Sequence, residues 1–298
     1  MKALLYATLV LGLVAGSVQA GTVLVVSDCE VPGGAGADNR DDNLVAFLQG
    51  LGHTVDTSGM NKAMQEGQNP FTTPAKLAAL QNADLVVVSR RTSSGSYDNN
   101  RKQWNELTTP LISMSGYLTR GETANKIWGW TSAGSGDATK TETDLVVQAG
   151  QAGHAFLSGL TGPVTLFDWS TVPAGDNQAP KVVYLPNAGA SWSAGTAIIG
   201  TFDGRDMLVD IPSGTDLDAL NGTAGKYGVT GARRGFFTDW GYDVDLGVPF
   251  DRQAQFDDFV TADYETVLTN MVGTLIPEPA TLALLAAGAV ATLIRRKK

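Results

Sequence analysis

The stretch Asp84–Arg90, DLVVVSR, decides the fold. Four consecutive apolar residues, three of them β-branched, with no polar alternation between them, describe a strand buried on both faces, as in a parallel sheet covered by helices. Thr22–Asp28, TVLVVSD, has the same texture, and both runs end in polar residues. Between them, Leu44, Phe47, Leu48 and Leu51 recur at helical spacing, with Asp38–Asp42 as an acidic start and Gly50 and Gly52 as the stop. HTVDTS from His53 predicts a second strand, and TTPAKLAALQNA a second helix with Thr73 as N-cap and Pro74 at the first helical position. A helix around Arg101–Leu107 and a strand at Pro110–Ser115 continue the rhythm. The fold class that follows is α/β, a mostly parallel sheet with helices on both faces.

The second half changes character. VTLFDW, KVVYLPN, GTAIIGTFDG and DMLVDIP are short strands at hairpin spacing, and RRGFFTDW predicts a further one. TETDLVVQAGQAG (141–153) reads as a helix, and FDDFVTADYETVLTNMVGTL (256–275) as the closing helix. No internal repeat or linker divides the chain, so residues 21–275 are expected to form one α/β domain.

Both ends read as delivery segments. Residues 1–20 carry Lys2, an apolar run from Ala3 to about Ala15 and a small-residue close at Ser17 and Ala20, the plan of a secretory signal peptide. Ala280–Ile294 would reach about 22 Å as a helix, short of a hydrocarbon core of about 30 Å, and four cations follow it. A short span closed by cations on the cytoplasmic side suits a transient hold better than a permanent anchor, with a plain tail anchor as the alternative. Removing both ends takes Lys+Arg from 21 to 16 and Asp+Glu from 30 to 29, leaving a body of net charge −13. That charge argues against nucleic acid or anionic lipid as partner. Cys29 is the only cysteine, so no intramolecular disulfide can form. With two histidines, His53 and His154, and one cysteine, a zinc site is improbable.

Pro277, Glu278 and Pro279, then the apolar run, then Arg295, Arg296, Lys297 and Lys298 resemble the PEP-CTERM sorting signal. The resemblance, over residues 276–298, implies a Gram-negative bacterial source, passage through the general secretory machinery and a transient inner-membrane intermediate. It further implies cleavage near the triplet by an exosortase-type protease, a destination at or beyond the cell surface, and an association with extracellular polysaccharide. The body, through LQGLGHTVD, LQNADLVVVS, PLISMSGYL, GHAFLSGL, GFFTDW and ADYETVLTNMVGTL, resembles the ThuA-like branch of the class I glutamine-amidotransferase-like superfamily. That resemblance implies a flavodoxin-like sheet and, in some members, sugar-related metabolism.

The catalytic candidates are Ser115, His154 and Asp28. Ser115 stands where the resembled superfamily carries its nucleophile, at a turn after a strand, without a full G-x-S-x-G elbow. His154 lies in GHAFLSGL, similar to the family's His-Pro-x-x-x-Gly-Leu segment with Ala155 in place of the proline. Asp28 ends the first strand, where open α/β sheets take ligands. Arg90 and Arg91 follow DLVVVS and suit an anion or a sugar acid, while Trp128 and Trp130 could stack on sugar rings or pack in the core. Asp239, Asp243 and Asp245 form a candidate calcium loop, with a solvated acidic turn as the alternative. The leading expectation is an exported surface or matrix protein that binds carbohydrate, and the alternative is an extracellular hydrolase acting on a glycan or ester.

Overall fold

The computed structural model describes residues 20–33, 40–97, 99–121, 127–137, 142–168, 184–239 and 260–276. Residues 1–19 of the expected signal peptide (1–20), the expected sorting signal from Pro277 onward, and Asp243 and Asp245 lie outside these residues.

β1 (Thr22–Val26) sits between β2 (Thr54–Gly59) and β3 (Leu85–Val88), parallel to both. Val23–Val26 and Leu85–Val88 have no exposed surface, which is why neither run alternates with polar residues. β4 (Leu111–Ser113) follows β3 in parallel, and β11 (Arg234–Phe237) follows β4 in parallel. The parallel half therefore has the order β2-β1-β3-β4-β11, the flavodoxin-like order with a late strand in the fifth place. β10 (Arg205–Ile211), β9 (Ala197–Phe202), β6 (Asp144–Val147) and β7 (Val164–Thr165) extend the sheet beyond β11, each antiparallel to its neighbour. Asp203 and Gly204, both at positive φ, make the two-residue turn between β9 and β10. β5 (Ser135–Asp137) and β8 (Tyr184–Pro186) pair as a separate ribbon.

α1 (Asp42–Gly50) buries Leu44, Val45 and Leu48 and packs against β2. α2 (Pro74–Asn82) packs against β1 and β2, with Pro74 at its first position and Thr73 before it. The Thr73 hydroxyl donates back to the carbonyls of Gln68 and Asn69 rather than capping the helix. α3 (Arg101–Glu106) and α4 (Leu217–Asn221) are short, and α5 (Ala262–Leu275) lies against β11 and β7. At Gly235 an added Cβ would stand 2.7 Å from Met271 Cε and 3.1 Å from Leu275 Cδ1, so a bare backbone lets α5 approach the strand. One hydrophobic cluster extends from Val23 to Ile276.

The helix expected over 141–153 is a strand instead. In β6, Leu145 is buried while Val146 is 60% exposed, a two-residue period, and β6 pairs with β9 and β7. Gly200 on β9 leaves the space that the Leu145 side chain fills. Among the described residues no helix is long and apolar enough to cross a membrane.

Candidate functional site

The strand order reverses at β1 and β3, the position at which open α/β sheets hold ligands outside the C-terminal ends of their strands. Asp28, Arg90 and Arg91 follow those two strands, and Ser115 and Asp239 follow β4 and β11 at the same edge. Residues separated by up to 211 positions in sequence are thus gathered along one edge of the sheet.

Buried polar contacts stitch these segments together. The Asp28 amide donates to the Arg91 carbonyl at 2.8 Å, and the Arg91 amide to Ser89 Oγ at 3.0 Å. Ser27 Oγ donates to Asp41 Oδ2, Asp41 Oδ1 lies 3.8 Å from Arg91 Nε, and Arg91 Nη1 donates to Asp239 Oδ2. Asp41 and Asp239 are fully buried, Ser27 nearly so, and Arg91 is 7% exposed. Burial works to lower the Arg91 pKa, but the adjacent Asp239 and Asp41 charges outweigh it and hold the guanidinium above its ordinary value. Burial raises the Asp239 carboxyl, with Arg91 acting against that rise. Ser27, Asp41, Arg91 and Asp239 form a rigid floor that ties β1, α1, β3 and β11 into one edge.

Above this floor Asp28 is partly open to solvent. Its Oδ2 accepts from the Ser93 amide at 3.0 Å and its Oδ1 from Gln65 Nε2 at 2.5 Å. Burial raises its pKa above 3.8, and those two hydrogen bonds only partly offset the effect. Burial and the charge of Asp28 together push the Tyr97 phenol well above its ordinary value. Ser115 Oγ is fully buried and has no hydrogen-bond partner among the described residues. Gln65, Tyr97 and Tyr117 escaped the sequence reading, because nothing local in the chain marks them as neighbours of this edge.

His154 is elsewhere. Its Nδ1 accepts from the Phe156 amide at 3.2 Å, capping a single 3₁₀ turn (155–157), and its Nε2 lies 3.3 Å from Asp210 Oδ2. Asp210 also receives Arg233 through Nε at 2.7 Å and Nη2 at 2.6 Å, and it pairs with Gly235 near the start of β11. Ser113 pairs with Phe236, so Ser115 stands about three residues further along the strand direction, roughly 10 Å, and two strands across. A Ser/His pair needs contact near 3 Å, so His154 does not serve Ser115. His53 precedes β2 and accepts from the Gly21 amide at 3.2 Å, also at the N-terminal edge. Both histidines of the chain therefore stand at the edge opposite Ser115.

Two further expectations change. Trp128 and Trp130 are 0% and 1% exposed and pack with Trp104 and Tyr97 at centroid distances of 5.2 to 6.2 Å, so they form core rather than a sugar platform. Asp239 is committed to Arg91 inside the protein, not displayed on a loop. Among the described residues no group of three or more His, Cys, Asp or Glu could hold a metal ion.

The fold and this edge define an open, flavodoxin-like α/β protein with a polar constellation at the C-terminal ends of its parallel strands. Residues 275–298 match the PEP-CTERM protein-sorting motif, and the chain is thereby an exported protein sorted at its C terminus, bound for the cell surface or the extracellular space. The motif implies exosortase processing and the secretion machinery. Among solved structures, the cytoplasmic protein STM3548 from Salmonella typhimurium is 12% identical with a TM-score of 0.46, covering 86% of this chain and 99% of that one. The cytoplasmic protein STM1381 from Salmonella typhimurium LT2 is 14% identical with a TM-score of 0.47, covering 86% and 100%. No curated protein matches the sequence significantly.

Proposed function

We propose that the body of this exported chain is a binding module for extracellular polysaccharide, taking a polyhydroxylated ligand at the C-terminal edge of the sheet between the β1 and β3 segments. The observation that carries this reading is the gathering of Asp28, Arg90 and Arg91 at the topological switch point, with Ser115 one strand further along the same edge, on a floor fixed by the Arg91–Asp239 pair. Carboxylate, guanidinium and hydroxyl groups together match the donors and acceptors that a sugar presents. The partly exposed Asp28 is the group best placed to meet the ligand, while the Ser115 hydroxyl lies beneath the surface of the same edge. Hydrolysis through a Ser/His pair has no support in this geometry, because neither histidine is at this edge. Resemblance to ThuA-like proteins, with their sugar-related members, agrees with the binding reading.

Calorimetric titration of the full-length protein with oligosaccharides tests it. Asp28→Asn should weaken binding at least tenfold, while Asp210→Asn at the opposite edge should leave it within twofold. Flat titrations across neutral and acidic glycans, or equal affinity for Asp28→Asn and the parent, would overturn the reading.

A further inference from the structure

β2 ends at Gly59 and is followed by a tight turn in which the Ala63 amide donates to the Met60 carbonyl at 3.1 Å. Its two central residues, Asn61 and Lys62, have φ of 52° and 59°. A turn with positive φ at both central positions ordinarily carries Asn then Gly, so Asn61 fits and Lys62 holds a side chain where glycine is favoured. The end of β1 maintains this strained backbone. The Asn61 amide donates to the Cys29 carbonyl at 2.7 Å and the Lys62 amide to the Ser27 carbonyl at 3.1 Å, and these two carbonyls flank Asp28. The Gln65 amide donates to the Lys62 carbonyl at 3.2 Å while its side chain reaches Asp28 Oδ1, so turn and carboxylate form one unit. Burial raises the pKa of the Asp28 carboxyl, and the Lys62 charge is near enough to act against that rise.

Lys62 is exposed, and among the described residues its side chain has no hydrogen bond or ion pair. Lys76 and Lys102 are occupied by comparison: Lys76 Nζ donates to the Ala63 carbonyl at 2.7 Å and to Gln68 Oε1 at 3.2 Å, and Lys102 pairs with Glu106. Asp28 is likewise unsaturated, since each of its oxygens accepts one hydrogen bond and a carboxylate oxygen has room for two. An ammonium with free donors beside a carboxylate with free acceptor positions matches adjacent sugar hydroxyls, and the two charges cancel. We infer that Lys62 and Asp28 together hold a vicinal diol of a neutral sugar, one hydroxyl donating to Asp28 and the neighbouring oxygen accepting from the Lys62 ammonium. The inference rests on the binding function proposed above and names its ligand chemistry and a second contact residue.

The test is calorimetry of the full-length protein with cellotriose, mannotriose and galactotriose, and with each trimer after periodate oxidation and borohydride reduction, which opens vicinal diols and leaves the chain neutral. The parent should bind at least one intact trimer at least tenfold more tightly than its opened form, with an affinity that changes less than about twofold as salt rises. Lys62→Asn should lose at least tenfold in affinity for that trimer yet keep a melting temperature at or above the parent's, since asparagine tolerates positive φ better than lysine. Adding Asp28→Asn to Lys62→Asn should cost less than Asp28→Asn costs alone, because the two side chains grip one diol. Parent-like affinity in Lys62→Asn, or equal affinity for intact and opened trimers, overturns the inference while leaving saccharide binding standing. So does a tighter, salt-sensitive grip on trigalacturonate that Lys62→Asn removes, which would make Lys62 an anion contact. Absence of binding to any trimer, neutral or acidic, overturns both.

Discussion

Arg234 shows how much a single residue can hold. Its side chain is fully buried and donates to the carbonyls of Thr109 at 2.8 Å, Asn105 at 2.9 Å and Leu107 at 2.5 Å. These carbonyls belong to the end of α3 and the segment leading into β4, where helical hydrogen bonding has run out. Burial pulls the Arg234 pKa down to about 9, so it remains a cation at neutral pH. Arg234→Met should cost about 3 kcal/mol or more, because several buried acceptors lose their donor together. Urea unfolding midpoints measure this, and a change below about 1 kcal/mol would show that the carbonyls find other partners.

Asp28 carries the opposite kind of signature. The folded chain holds its proton more tightly than the unfolded chain, since burial raises the pKa above 3.8. Stability from this group is therefore present at low pH and falls as pH rises through the folded pKa. Asp28→Asn removes the dependence, so melting temperatures of variant and parent should shift in the variant's favour between about pH 3 and pH 7. A difference independent of pH would mean that the carboxyl is not perturbed by burial. Asp28 was legible in the sequence because it ends a strand, but its hydrogen bond to Gln65, 37 residues away, was not.

At the scale of elements, local pattern succeeded where burial had one period and failed where it had another. β1 and β3 were legible because strands covered on both faces leave uninterrupted apolar runs. β6 was not, since LVV within a polar stretch fits a short helix as well as an edge-side strand, and only pairing with β9 decides. The insertion of the antiparallel strands before β11 is likewise a matter of long-range pairing. α5 depends on one local feature and one distant in sequence. Thr261 Oγ1 accepts from the Tyr264 amide at 3.3 Å as N-cap, and Gly235 gives the helix its seat. Thr261→Ala should cost about 1 kcal/mol through the lost cap. Gly235→Val should cost about 1–3 kcal/mol through overpacking against Met271 and Leu275. Denaturation of the two single variants checks both values, and a silent Gly235→Val would show that α5 can shift without penalty.

For the whole molecule, delivery and body make separate claims. The PEP-CTERM motif accounts for the tail and predicts that protein recovered from the native envelope or medium has lost the residues beyond about Pro277 by intact mass. Recovery of mature protein that retains Lys298 would contradict it. Most of the sorting information was legible because it is local: a triplet, a run and a basic end. Little of the site was, because Arg91 and Asp239 are 148 residues apart and meet only through the parallel pairing of β3, β4 and β11. His154 misled for the same reason, its sequence surroundings suggesting a site while β10 and β11 carry it to the opposite edge.

The account stands or falls on which edge of the sheet meets the ligand. Hydrogen–deuterium exchange of the full-length protein with and without saturating neutral or acidic oligosaccharide reads this directly. Protection should appear in residues 27–30, 89–97 and 114–120, with none in 153–158 or 233–235. Protection confined to the segments around His154 and Arg233, or absent throughout, would contradict it.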